Sequence, residues 1–528
     1  METAPMVTAL ALFVGVVVLI HFKRSSVCVF RSSFIWILSQ LWGHRVQFLL
    51  TAVRSTTFAT RQELYRLDIT RHIPLHFQLL SCVLKRFSQH KSIFRVPYLD
   101  KWVVVLCSPE LINDLRKARE EDLSAAHGFG ATLAVNYTLG AGFVTNPYHV
   151  RVIQSSLTRS ISARFTDIHD EISTAFQDEI KPSNDWVAVP ALRTVLRIVS
   201  RTSSRLFVGI ELCRNTDYRN LSIEFAEDVI KRARIINLFP DVLKPLVGPM
   251  LSPKPRAMAR ARRHLVPVIE ERLRMDNEYG ADWDGRPNDM ISWLLEHATD
   301  DERTVDKLIE RILMINFVAI HTTANSFTQA LYHLAAAPDY VTPLREELET
   351  AVREDGWSKA AMGKCIKLDS FLRESQRFNG VSAINMNRMV TNPAGFTFSD
   401  GTHLPHGSFM AAATYATHHD DAHYAHAEVF DGFRFARMRA GDGGEGGAES
   451  VKFGMVTPDP TFLSFGLGRH ACPGRFFAVT ELKVMLAHTF MNYDIKLEQN
   501  SGIRPPSEWF GTTCGANRSA KVLFRSRA

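Results

Sequence analysis

The sequence predicts a mainly α-helical body with small β-sheets, preceded by one N-terminal transmembrane helix. Three observations carry that reading. Residues 4–20 are apolar and uncharged, long stretches keep the three-to-four-residue spacing of a buried helix face, and alternating or extended runs are few and short. Of the 528 residues, 46% are hydrophobic and 22% charged, which excludes disordered, collagen-like and disulfide-scaffold classes. The seven Cys are scattered without a CxxC pair, as expected for buried thiols in a reducing compartment. A net charge of +7 is small for this length and no arginine-rich tail accompanies it, so no nucleic-acid partner is expected.

At 1.5 Å per residue, 4–20 forms a helix about 25 Å long, near the lower limit for spanning a bilayer. Glu2 precedes it and Lys23 and Arg24 follow, the reverse of a secretory signal. The positive-inside rule then leaves the N-terminus across the membrane and the remainder in the cytosol. Residues 34–42 are too short to span but aromatic enough to lie at the interface; a re-entrant or second span is the alternative. The expected organisation is an anchor at 1–24, an interfacial linker at 25–59 and one folded domain at 60–528, without a repeat or a composition break.

Within that domain, 93–99 and 102–107 read as a hairpin joined by Asp100-Lys101. The longest helical pattern runs from about 302 to 336 and is closed by Pro338. Val305, Leu308, Ile312, Ile315, Ala319 and Ile320 keep helical spacing, and 312–320 is apolar almost all round, so this helix must cross the core. A short helix at about 368–378 ends at Gly380, 396–409 reads as a hairpin around Ser399-Asp400-Gly401, and 441–447 is a glycine-rich surface loop.

The most informative stretch is 462–478, which contains Phe465, Gly466, Gly468, Arg469, His470, Cys472, Pro473 and Gly474. Its glycines allow tight turns and close approach to a flat ligand. Pro473 suits a first helical turn, placing Cys472 at the start of a helix over 474–491, where the helix dipole and free N–H groups favour a thiolate able to ligate a metal. The same residues fit a dinucleotide pattern, Gly466 to Ala471 with Asp494 about twenty residues on. That reading would bury Pro473 inside a helix at a cost of about 3 kcal/mol and lacks the other strands of a doubly wound sheet.

The spacing of Phe465, Gly468, Cys472 and Gly474 resembles the haem-binding loop of the cytochrome P450 family, in the form common among fungal membrane-bound members of secondary metabolism. The resemblance covers roughly 60–525 and implies the cytochrome P450 fold, haem b with Cys472 as axial thiolate, and Phe465 as a shield over the sulfur. His470 stands where the family usually has a basic residue, with Arg469 adjacent, and the two are expected to share propionate pairing. Glu374 and Arg377 match the family's ExxR pair, and 430–435 resembles FDPxRF, with Arg434 completing a buried charge network and Gly432 in place of proline. Residues 318–323 resemble the oxygen-activating segment: Thr322 is expected to hydrogen-bond oxygen and open the helix locally. His321, where an acid is usual, could shuttle protons. In 146–159, Gln154 replaces the expected arginine, leaving His149, Arg151 or Gln154 open as the propionate partner; Arg388, on the strand after the Glu374 helix, is the better candidate.

The resemblance further implies a monooxygenase that uses O2 and electrons from an NADPH-cytochrome P450 reductase to oxidise a small lipophilic substrate, a terpenoid by analogy. The protein would be held at the endoplasmic reticulum membrane with its catalytic domain cytosolic. Substrate would be contacted from 120–140, 230–255 and 318–322. Two other readings stay open: a haem-thiolate isomerase or dehydratase, and a non-catalytic membrane haem-binding protein. His418, His419, His423 and His426 match no structural zinc spacing, and the basic run 254–263 reads as a solvated or membrane-facing helix face.

Overall fold

The computed structural model describes residues 92–97, 101–441, 450–498 and 502–527. The expected spanning helix, the 34–42 patch, the linker, Asp100 and the glycine-rich loop beyond Gly441 lie outside them. No helix among the described residues is long and apolar enough to cross a membrane.

Strands β1 (Ile93–Pro97) and β2 (Trp102–Leu106) form the expected antiparallel hairpin, with Ile93 opposite Leu106. With β3 (Leu123–Ser124), β4 (Asn385–Val390) and β5 (Phe409–Ala412) they make one five-stranded sheet in the order β1-β2-β5-β4-β3. Only β2 and β5 run parallel. The 396–409 reading is corrected here. The hairpin pairs only Phe396–Thr397 with His403–Leu404, and Phe409 belongs to the larger sheet, opposite Met389. Its turn is where expected, with Gly401 at φ +84°, a conformation glycine adopts freely.

The helices carry the mass. Those that shape the site are α1 (Ala125–Leu133), α2 (Phe165–Glu179), α3 (Ala191–Phe207), α4 (Thr216–Ile236), α5 (Lys244–Leu251), α6 (Val305–Ala336), α7 (Ile366–Phe378) and α8 (Arg475–Asn492). As its periodicity requires, α6 crosses the core, with α3 and α4 along its flanks and α7 and α8 against its far half. Its N-terminal half buries Arg311, which pairs with Glu302 at 3.0 Å and donates to the Gly142 carbonyl at 2.9 Å. The basic run 254–263 sits on a long helix, Lys254–Tyr279, and spends its charges on neighbouring acids: Lys254 on Glu310, Arg260 on Asp217 and Glu224, Arg262 on Asp306. The remaining strands form a three-stranded sheet and two hairpins, so no doubly wound sheet exists among the described residues to receive a dinucleotide. Asp494 of that reading pairs instead with Arg525 at 2.8 Å.

Gly432 shows why this chain departs from the proline of the resembled motif. A Cβ there would meet Phe371 Cδ2 at 2.7 Å and Tyr340 Cε1 at 2.9 Å, and its N–H donates to the Tyr340 hydroxyl at 3.1 Å. Gly432→Ala is therefore expected to cost about 1–3 kcal/mol by overpacking, and Gly432→Pro more, because the hydrogen bond is lost as well. The shift of the denaturation midpoint measures both.

Candidate active site

The Cys472 loop closes on itself. Gly466 and Gly468 take φ +69° and +73°, and at Gly468 a Cβ would lie 2.6 Å from Arg116 Cγ and 3.1 Å from the Arg116 carbonyl, so the loop can lie on that segment only as glycine. The Cys472 N–H donates to the Phe465 carbonyl at 2.7 Å, holding the half-buried Phe465 ring in the same turn as the sulfur. The helix starts one residue later than expected, at Arg475 with Gly474 as its cap, so Pro473 precedes the helix rather than opening its first turn. The N–H groups of Gly474 and Arg475 and the Arg475 charge favour a thiolate at Cys472, as the sequence suggested. Burial outweighs them and leaves the thiol raised above its ordinary pKa. A bound metal cation, rather than the helix start alone, would convert this thiol to thiolate.

Helix α6 presents an open face midway along its length. Val318 and Ala319 are half-buried and Thr322 exposed, while Ile320, Thr323 and Ala324 are buried. Within this helix such exposure at 318, 319 and 322 marks one stripe turned to an internal space. The helix itself runs unbroken: the Thr322 hydroxyl donates to the Val318 carbonyl at 2.8 Å, so the expected local opening is absent. His321 is turned about a quarter of a turn away from Thr322, its Nε2–H donating to the Ile223 carbonyl of α4 at 3.0 Å. Burial lowers its pKa, keeping the ring neutral and committed to α4.

The cations separate into two groups. Arg469 donates to the Ala118 carbonyl at 2.5 Å and His470 Nε2 pairs with Glu120 at 3.0 Å, so the structure gives both partners other than a shared propionate. Arg388 differs. It lies on β4, is 4% exposed, bonds only to the neighbouring Asn387 carbonyl, and has no carboxylate in ion-pair range among the described residues. Burial pushes its pKa down to about 10, against the pull of Glu120. Its strand is pressed against α1 at Gly128, where a Cβ would sit 2.8 Å from the Arg388 backbone. A buried cation without a counter-charge is a costly arrangement that an anionic group would relieve. With the sulfur and the open face of α6, it fits a flat, metal-bearing ligand with carboxylate arms. In the segment left open above, Gln154 lies in a π-helical turn, Ile153–Leu157, and Arg151 and Gln154 are both exposed. His149 turns inward to accept from Arg311 at 3.1 Å, and burial with Arg311's charge lowers its pKa to about 3, which removes it as a cation.

The charge network behind the loop is present in full. Arg377 grips Glu374 with two bonds of 2.7 Å and Arg434 adds a third at 3.2 Å, all buried. Arg377 also bonds the His418 and Ala427 carbonyls, and Arg434 the Ala425 carbonyl, so the network pins 418–434. His418, set aside as a metal ligand, is the link onward: its Nε2 accepts the Leu463 N–H at 2.9 Å, joining that segment to the Cys472 loop. Three further groups escaped the sequence reading. Arg373 holds Asp459 at 2.9 Å and the Thr457 carbonyl at 3.1 Å. Asp369 meets Lys483. Glu481, fully buried, is pushed up to about 8 by burial and meets Ser203 of α3 at 3.2 Å. The available signal was charge inside an apolar helix: between Phe476 and Met491 only Glu481 and Lys483 carry formal charge.

A separate open cavity of about 1380 Å³ lies between β1, the Val135–Tyr137 region and the 237–244 segment. It draws on two of the three stretches expected to contact substrate, 120–140 and 230–255, but not on 318–322.

The fold and the sulfur-bearing loop define a haem-binding oxidoreductase of the thiolate class. Residues 72–521 match the cytochrome P450 family model, and the chain belongs to that family. It is similar to cytochrome P450 monooxygenase 151 of Postia placenta, 41% identical over 454 residues that cover 85% of this chain and 90% of the relative. It is also similar to ent-kaurene oxidase P450-4 of Gibberella fujikuroi, 32% identical over 83% of this chain and 85% of the relative. Among solved structures, a retinoic acid-bound cyanobacterial CYP120A1 aligns with a TM-score of 0.63 at 17% identity, covering 84% of this chain and 93% of that one. The protein is thus a cytochrome P450 monooxygenase, of a family that holds haem iron through a cysteine thiolate.

Proposed function

We propose that this chain inserts one oxygen atom of O2 into a C–H bond of a lipophilic terpenoid, with electrons from NADPH delivered by a membrane-bound cytochrome P450 reductase. The carrying observation is Cys472, just before the helix that Gly474 caps and tied by its N–H to the Phe465 carbonyl. Bound haem supplies oxygen activation, which an axial thiolate promotes by pushing electron density onto iron. The protein's own residues do the rest. Cys472 would hold the iron, Phe465 would keep water from the sulfur, Gly468 would let the loop lie on Arg116, and Arg388 would neutralise a propionate. The 318–322 face bounds the reaction space. Thr322 holds the proton nearest that space and must release the Val318 carbonyl to donate it, whereas His321 serves to position α4 against α6.

Relatives named as ent-kaurene oxidases support a terpenoid, ent-kaurene being a diterpene hydrocarbon. Membrane seating is supported by Leu246 and Met250, one turn apart on α5 and exposed at 62% and 69%, and by Val242 just before that helix, exposed at 82%, near the cavity that Trp102, itself half-exposed, also lines. The proposed organisation remains an endoplasmic reticulum anchor at 1–24, a linker at 25–59 and the cytosolic monooxygenase domain at 60–528. The test is turnover of a panel of terpene hydrocarbons by full-length protein with a fungal reductase. Product requiring both O2 and NADPH is expected; product without O2 would favour the isomerase or dehydratase, and no product at all the haem binder. In the same assay Thr322→Ala is expected to lower product formed per NADPH consumed by about tenfold, and an unchanged ratio removes Thr322 from proton delivery.

A further inference from the structure

The helix that follows Cys472, α8, buries a mainly apolar surface together with Thr480, His488 and Thr489, and a buried charge paired across its boundary fixes its axial position more sharply than apolar contact alone. Beyond Arg475 at its first position, two charged side chains interrupt it. Glu481 meets Ser203 as a buried acid on one side. On the other, eleven residues past Cys472, Lys483 Nζ lies 2.6 Å from Asp369 Oδ1, with both side chains 8% exposed. The second Asp369 oxygen accepts from Arg439 at 2.6 Å and from the Met455 N–H at 2.8 Å, and Lys483 also donates to the Met362 carbonyl at 3.1 Å. Burial pushes the Asp369 pKa up, but Lys483 and Arg439 overcome it and leave the carboxyl below its ordinary range. This junction joins α7, α8, the Arg434–Gly441 helix and the approach to the Cys472 loop. It is built apart from the Glu374 network, on residues five positions earlier along α7.

We propose that the Asp369–Lys483 pair sets the axial register of α8 and so positions the Cys472 sulfur beneath the haem, making Asp369 and Lys483 positioning residues for the monooxygenase reaction. The inference rests on Cys472 as the axial ligand. A slipped helix would leave the buried Lys483 ammonium without its carboxylate, while Asp369 would keep only Arg439, so one register is favoured over its neighbours. Because the pair is directional, its loss should show first as misplaced sulfur and only then as unfolding.

The experiment uses full-length haem-loaded protein and follows the long-wavelength reduced carbon monoxide band, the signature of thiolate ligation, through a urea series below the unfolding transition. Lys483→Met and Asp369→Asn are each expected to lose the band at least about tenfold faster than wild type. The double variant removes the stranded Lys483 charge and leaves only Arg439 without its acid, so it should recover part of that loss, and Lys483→Arg should stay near wild type. Single variants that keep the wild-type rate, or a double variant whose loss equals the product of the two singles, would overturn the register role. If neither single variant retains haem, recovery of the band in the double supports the proposal, and failure to recover it counts against it. A wild-type preparation that never shows the band would instead sink the assignment of Cys472, before any variant is compared.

Discussion

Cys472→Ala is expected to abolish the long-wavelength reduced carbon monoxide band and to lower turnover by at least about 100-fold, since even outer-shell partners of a metal ligand are commonly worth 10–100-fold. The fold of the apoprotein should survive. The side chain is small and half-buried, and the loop is held by the Cys472 N–H, which alanine keeps, donating to Phe465, and by the cap at Gly474. Truncating it to a methyl group should change stability by about 1 kcal/mol or less. Circular dichroism of the apoprotein, haem content and the carbon monoxide spectrum together separate loss of a ligand from loss of a fold. A variant with an unaltered spectrum would move the axial ligand elsewhere in the chain.

Glu374→Gln should act in the opposite way, on the scaffold before the chemistry. Glu374 is the only acid among the bonded partners of Arg377 and Arg434, and the three side chains are buried together. Replacing the carboxylate by an amide leaves two guanidinium groups facing backbone carbonyls alone, at a cost of about 3–5 kcal/mol. It also weakens the acceptor used by the Asp431 N–H at 3.0 Å. The expected result is a lower denaturation midpoint and poor haem retention, with a normal carbon monoxide band in whatever fraction still folds. An unchanged midpoint would mean that the network is solvated in solution and that the segment 418–434 is held by its apolar contacts.

These two residues were legible in the sequence for different reasons. A cysteine among glycines before a helix is a local pattern, whereas an acid and an arginine one turn apart carry little signal alone and stood out only through the order of the motifs in the family they resemble. Crossing helix α6 was equally plain, since its apolar residues outnumber what one face can use. The residues that sequence left hidden work across long separations. His418 gave a histidine-rich run and no hint that its ring accepts from Leu463, forty-five positions on. Thr322 and His321 were read as neighbours in one relay, yet adjacent helical positions point in different directions, and their hydrogen bonds run to separate elements. Arg388 was found by resemblance; what the structure adds is its burial without an acid in ion-pair range among the described residues, which no linear pattern reveals. Arg469 and His470 show the reverse case, in which carbonyls and Glu120 brought close by folding claim charges that the sequence left free.

Helix α7 gathers Asp369, Arg373, Glu374 and Arg377 within nine residues, and Asp369 alone reaches Arg439, Met455 and Lys483. A stretch tethered by so many buried charges to one rod has no inexpensive halfway arrangement, since freeing any tether exposes a charge that water must reach. The segments tied to α7 should consequently breathe as a single unit, with amide protons of 418–441 and 450–459 exchanging together and slowly, while the rim near 242–250 opens on its own schedule. Sequence drift that retunes substrate choice can accumulate at that rim without disturbing the assembly that holds the metal.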